Sequence, residues 1–344
     1  ADRLVWFWSN HFCIAAGRST ANRITAGAFE REAIRPHVFG RFADMLLAVE
    51  QHPAMLIYLD NRTSVGPNSR AGERRNRGLN ENLAREILEL HTLGPDSGYT
   101  QADVTALAHA LTGWTVIGRT DEDHELGHFY FNPNRHEPGP QTILGTTYPE
   151  PDIRQGEHAL LDIARHPAAA RMVATKLVRH FVADDPPEGL VLRLARAFTD
   201  SDGDLREVAR TLVTADEAWS AGPTKIRTPQ EYAAAVLRAT GQPARGPLIL
   251  AVLNSLGQPL WNPPGPNGFP DTCAHWISAE GMRTRLDVAV RLTKAARPDA
   301  DPGAILETVI GPVASPETRE AVARAESRPQ ALALLLMSPE FQRR

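Results

Sequence analysis

The richest chemical signal in the 344-residue chain is the run Asn80-Glu81-Asn82-Leu83-Ala84-Arg85-Glu86-Ile87-Leu88-Glu89-Leu90-His91. Wound as an α-helix, it places Asn82, Glu86 and Glu89 on one face, at spacings of four and three. An amide and two carboxylates presented together can serve acid–base chemistry or ligate a metal; carboxylates with an i, i+3 neighbour recur in the metal sites of helix bundles. Two like charges side by side also push one pKa upward, as a base working near neutral pH requires. In this scheme Glu86 is the general base or first ligand, Glu89 the second carboxylate and Asn82 an orienting amide. Arg85 holds an anionic or developing oxyanion group. A plainer reading competes: Glu81, Arg85 and Glu89, at spacings of four and four, form an ion-pair ladder on a solvated face.

Polar and aromatic residues accumulate around this run. Tyr58-Leu59-Asp60-Asn61 precede it, and His91, Tyr99, Asp103, Trp114 and the 128–136 segment follow. Tyr58, Tyr99 and Trp114 are candidate substrate contacts. Two histidines are candidate proton shuttles. His11 sits in Trp8-Ser9-Asn10-His11-Phe12, where a buried structural role competes with catalysis, and His136 lies in the turn-like Arg135-His136-Glu137-Pro138-Gly139. His180, after Lys176-Leu177-Val178-Arg179, decorates a basic helix. The proline-rich stretch 262–272, flanked by Trp261 and Trp276 and carrying Phe269, can wall a cleft with aromatic faces suited to sugar rings, or merely buttress helices. Trp276 is the candidate contact there. The 12 histidines include no His-Glu-x-x-His pair, so a divalent metal, if held, is assembled from separate elements. No glycine-rich phosphate loop or Gly-x-Ser-x-Gly elbow is present, which disfavours nicotinamide, flavin and P-loop nucleotide cofactors and the common serine-hydrolase geometry.

Helical periodicity positions these groups. Ile34, Val38, Phe42, Leu46 and Val49 are spaced four, four, four and three apart, interrupted at Pro36. A short buried helix is expected over 54–59, then a polar surface loop over 62–78 carrying Arg62, Arg70, Glu73, Arg74, Arg75 and Arg77. Asn80 is expected to cap the next helix, whose stripe Leu83, Ile87, Leu90 stops at Gly94-Pro95. Thr100-Gln101-Ala102-Asp103 is a capping-box variant opening a helix toward Trp114. Short strands near 128–131 and 142–144 suggest one hairpin or an irregular flap. Helices follow over 154–165, 167–182, 190–199, 205–215, 229–240, 248–256 and 279–296, with two shorter ones at the end. The stretches 203–219 and 327–341 resemble each other, each a capped leucine-rich helix with an acidic-aromatic tail. The expected fold is all-α: one large multi-helical domain with a short β-hairpin or irregular insertion near 115–150. It divides into a site-bearing subregion, 1–150, and a helical subregion, 151–344, with the proline-rich loop.

Composition narrows the function classes. The net charge of −4 argues against a nucleic-acid partner, and 42% hydrophobic residues suffice for a core. No run of apolar residues reaches membrane-spanning length. Cys13 and Cys273, the only thiols, exclude a disulfide-dense scaffold and a cysteine zinc finger and leave the redox compartment open. No signal peptide is visible ahead of the aromatic stretch Leu4-Val5-Trp6-Phe7-Trp8.

The chain resembles the bacterial domain of unknown function 1800 family. The matching signatures begin with Trp8-x-x-His11-Phe12, Pro53-Ala54-Met55-Leu56-x-Tyr58-Leu59-Asp60 and Asn80-Glu81-Asn82-x-Ala84-Arg85-Glu86-x-Leu88-Glu89-Leu90. They continue through Tyr99-Thr100-x-x-Asp103-Val104, Ala110-Leu111-Thr112-Gly113-Trp114 and His166-Pro167-Ala168 before Lys176-Leu177, and end with Ser201-Asp202-Gly203-Asp204-Leu205 and residues 263–271. The resemblance implies a largely helical protein, export to the periplasm or beyond, and a partner from a sulfatase-like or phosphatase-like family; it implies no settled reaction. Three departures stand out: relatives carry a further helical segment ahead of Trp8, a lysine ahead of the Thr142 stretch where Pro140-Gln141 stand here, and a tryptophan at Phe269. The leading functional expectation is hydrolysis of an extracellular polymer or its fragments by a carboxylate/histidine site, with or without a metal. An oxidoreductase using a metal or a modified aromatic side chain, and a non-catalytic scaffold that binds a partner protein, are the alternatives.

Overall fold

A computed structural model describes residues 1–75, 78–118, 125–220, 222–294, 296 and 301–344. Arg77 of the expected loop and position 295 near the end of the expected 279–296 helix lie outside them. Among the described residues the architecture is all-α with two small antiparallel hairpins. Two compact units emerge: Ala1–Val178 with Pro186–Ala215 and Trp261–Phe269, and Arg179–Asp185 with Asp216–Leu260 and Pro270–Arg344. They interleave along the sequence and do not part at residue 150.

In the first unit an aromatic cluster organises the core. Trp8 stacks on Phe12 with ring centroids 5.7 Å apart, and Phe42 meets Phe198 edge-on at 5.5 Å. Such pairs add to the burial of large apolar surfaces. Phe42 opens the helix Phe42–Glu50, whose buried Met45, Leu46 and Val49 realise the four-residue periodicity. Upstream, the helix Thr20–Phe29 passes into a π-helical turn, Glu30–Ile34, and a 3-10 turn, Arg35–His37, with the break at Pro36. The 62–78 segment is not all loop. Ser69 Oγ accepts from Gly72 N at 3.1 Å, and this serine cap starts a helix, Arg70–Arg75.

Two hairpins replace the single one expected. Trp114–Val116 pairs with Phe129–Phe131, Trp114 opposite Phe131, so Trp114 begins a strand where helical periodicity predicted a helix end. Gln141–Ile143 pairs with Thr146–Tyr148 around Leu144 and Gly145, both at positive φ (50° and 81°), as a tight two-residue hairpin turn demands. The capping box forms: Asp103 Oδ2 accepts from Thr100 N at 2.8 Å while Thr100 Oγ1 accepts from Asp103 N at 3.3 Å. Asp103 Oδ1 also accepts from Leu144 N at 2.7 Å, tying the second hairpin to the helix Gln101–Ala110. Replacing Thr100 by alanine should therefore cost about 1 kcal/mol of unfolding free energy in urea melts.

The second unit packs the helices Pro229–Thr240, Gly246–Ser255, Ala279–Lys294, Pro302–Ile310, Pro316–Ala323 and Arg328–Met337 around Tyr232, Val236, Leu292, Leu335 and Phe341. Arg285, 1% exposed, is satisfied by Gln342 Oε1 at 2.8 Å and Arg227 O at 2.7 Å, with Tyr232 beneath its guanidinium. The resemblance between 203–219 and 327–341 is structural too. Each is a capped helix, Leu205–Thr214 or Arg328–Met337, followed by a short helical turn.

Candidate active site

The Asn80 run is helical but not uniformly α. Asn80 Oδ1 accepts from Asn82 N at 2.8 Å, but the N-cap position falls on Glu81, which makes no side-chain capping bond, one residue later than expected. An α-helix, Asn82–Glu86, then hands over to a π-helix, Ile87–Thr92, closed by Leu93 N donating to Leu88 O at 3.1 Å. Burial explains the change of winding. The buried positions Leu83 and Ala84, Ile87 and Leu88, His91 and Thr92 recur every four residues. A helix of 3.6 residues per turn lets such a stripe drift, whereas a wider π turn holds it in phase. Single π turns inside α-helices occur frequently at functional sites.

Glu86 stands at this junction, half-buried. Burial raises its carboxyl above the ordinary range; the charges of His91 and Arg85 oppose that, and those of Glu89 and Glu50 add to it. Beneath lies a closed polar pair: His91 Nδ1 donates to Glu50 Oε1 at 2.8 Å, with side chains 1% and 0% exposed. Glu50 Oε2 has no hydrogen-bond partner. His11, 2% exposed, donates Nε2 to the backbone carbonyl of His91 at 3.0 Å, and its Nδ1 is unpartnered. Burial, then the charge of Lys176, holds its pKa well below the ordinary histidine value. Edge-on contacts with Trp8 and Phe12 complete a neutral, structural environment for His11.

Tyr58, 7% exposed, belongs to the same group. Burial pushes its hydroxyl up, followed by the nearby Cys13 and Glu86. The Cys13 thiol, donating to Pro266 O at 3.2 Å, is itself pushed up to about 12, chiefly by burial. Tyr99 is raised by burial and then by Glu89. Glu86 thus interacts electrostatically with Glu89, His91, Tyr58 and Tyr99, His11 joins through His91, and Glu50 and Cys13, which are not among the candidates read from the sequence, complete the group. A glutamate closing the apolar stripe Leu46, Val49, Glu50 was the one visible clue.

Other candidates are placed differently. Arg85 donates to Glu81 Oε2 at 3.1 Å and to Gln101 Oε1 at 2.9 Å, which is half of the expected ion-pair ladder. Asn82 is exposed. His136, 5% exposed, donates Nδ1 to Thr112 O at 3.0 Å; burial lowers its pKa, and its charged neighbours are Asp152 and Glu137, a set distinct from that around Glu86. Trp114 is fully buried against Phe129 and presents no face to a substrate. Trp276 belongs to the second unit, where its indole donates to Pro270 O at 3.0 Å.

The proline-rich stretch does reach the first unit's site elements. Asn10 Nδ2 donates to Phe269 O and Asn10 Oδ1 accepts from Phe269 N, at 2.9 and 2.8 Å, so residues 261–269 clasp the end of the helix Asp2–His11. Both cysteines are free thiols. Among the described residues, no group of three or more His, Cys, Asp or Glu side chains is arranged to hold a metal ion.

The pattern of a family described as "protein of unknown function (DUF1800)" matches residues 1–343. No curated protein and no solved structure matches the chain.

Proposed function

Since the chain belongs to the DUF1800 family, whose description assigns no activity, the site itself must supply the reading, and we propose that the protein is a hydrolase acting through Glu86. The observation that carries this is the position of Glu86: a half-buried carboxyl, raised by burial and by two neighbouring carboxylates, at the α-to-π junction over the Glu50–His91 pair. Such a group keeps its proton to a higher pH than an exposed glutamate does and can donate it to a leaving oxygen. Glu89, beside Tyr99, is the second carboxylate and accepts the proton of an attacking water. Their unequal surroundings favour this division of labour. The buried Glu50–His91 pair anchors the helix, and at Glu86 the charge of His91 outweighs that of Glu50, so it is burial and Glu89 that keep the carboxyl raised. Tyr58 supplies a hydroxyl to orient substrate.

An extracytoplasmic polymer or its fragments is the substrate class proposed, in line with the export that the family resemblance implies. The test is incubation of the wild-type protein and Glu86→Gln with a panel of polysaccharides and nitrophenyl glycosides, scored by reducing ends and nitrophenol. Turnover by wild type, reduced about 10²- to 10⁴-fold in the variant, supports the reading. No turnover on any member, or equal turnover by both proteins, rejects it.

A further inference from the structure

A second polar site lies in the first unit, at a cleft of about 530 Å³ lined by Val65, Arg70, Arg74, Asn132, Asn134 and Arg135. Its lining brings together three guanidinium groups and two carboxamides, and no carboxylate among the described residues. Guanidinium and carboxamide donors that line one concavity suit an anion bearing several oxygens.

The framework beneath is fixed. Gly66 N donates to Arg135 O at 2.8 Å and Ala71 N to Asn134 O at 2.9 Å, which locks the 132–135 turn against the start of the helix Arg70–Arg75. A side chain at Gly72 would strike the carbonyl oxygens of Gly66 and Pro67, so this close approach requires glycine. Arg135 Nη1 donates to Arg62 O at 3.1 Å, holding one guanidinium in place at the rim. Arg70 Nη1 lies 3.5 Å from Asn134 Oδ1, at the edge of hydrogen bonding. The buried carboxylate Glu137, beside Gly66 and 4% exposed, already accepts from both the backbone and side-chain amides of Asn68.

We infer that this cleft binds an oxyanion ester, a phosphoryl or sulfuryl group carried on a small hydroxylated body. Guanidinium forks match the paired oxygens of such groups in charge and geometry, the asparagines suit the hydroxyls, and the volume exceeds what a bare ion fills. The inference stands independently of the Glu86 reading, because none of the lining residues belongs to that site.

The experiment is calorimetric titration of the wild-type protein, at constant ionic strength, with glucose 6-phosphate, glucose 6-sulfate, glucuronate and glucose. Arg74→Gln and the double variant Arg70→Gln/Arg74→Gln serve as comparators. Arg74 is exposed, so its replacement spares the fold, and circular dichroism confirms it. Binding of either ester, absent for glucose and weakened at least tenfold in the double variant, is expected; the better of the two esters identifies the source of the anion. Failure of wild type to bind either ester, equal affinity in the double variant, or glucuronate binding as tightly as the esters overturns the inference.

Discussion

Replacing His91 by alanine is expected to destabilise the protein by about 3–5 kcal/mol, the cost of breaking a buried ion pair by removing one partner. His91 and Glu50 are 1% and 0% exposed and bond at 2.8 Å, while Glu50 Oε2 already lacks a partner. Without the imidazole, both carboxyl oxygens are stranded in a water-excluded setting beneath Phe12, whose ring meets His91 edge-on at 5.3 Å. The His11 bond survives in the variant because it goes to the backbone carbonyl of residue 91. The loss is therefore assigned to the imidazole itself, through its bond to Glu50 and its packing against Phe12. Glu50→Gln should cost less, since an amide oxygen can still accept from Nδ1. A double replacement, Glu50→Met with His91→Leu, should recover much of the stability, because apolar residues of similar volume leave nothing unpaired. Urea melts of the wild type and the three variants measure these differences; a His91→Ala loss below about 1 kcal/mol would show that the pair is solvated.

The contrast between what sequence patterns revealed and what they concealed follows from range. Caps and four-residue periodicities are local, and the helices that carry them, Arg154–Arg165 and Pro229–Thr240 among them, fall where the patterns put them. The capping box at Thr100 was legible for the same reason, as two side chains three residues apart. The Glu50–His91 bond spans 41 residues and the Asn10–Phe269 clasp 259, and no composition or spacing announces either. The π-helix left no propensity signal, because it is imposed by burying pairs of residues every fourth position. That winding makes Glu86 a junction residue, which the idealised α-helical face did not distinguish from Glu89. The arginines of the 62–78 segment were read as solvated surface. Their convergence with Arg135 depends on the 132–135 turn docking against Gly66 and Ala71, a contact made across more than sixty residues.

Glu86→Gln should raise thermal stability at pH 7 while lowering turnover, and the sign of the first effect tests the site without knowledge of any substrate. Burial raises the folded-state pKa of Glu86 above that of an unfolded glutamate, about 4.3. Between those two values the folded state binds more protons than the unfolded state, so stability falls as pH rises through that window. Above it the folded protein carries a fixed penalty for holding a half-buried charge near Glu89 and Glu50. Glutamine, neutral at every pH, removes that penalty. The variant's advantage in melting temperature should be largest at pH 7, shrink as pH falls through the folded pKa, and vanish near pH 4. The same ionisation governs turnover: the rate should decline on the alkaline side as Glu86 loses the proton it donates, with a midpoint matching its carbon-13 carboxyl titration. A melting advantage that stays constant between pH 4 and pH 7, or a Glu86 resonance titrating at the ordinary value, would mean that its carboxyl is as well solvated as any on the surface.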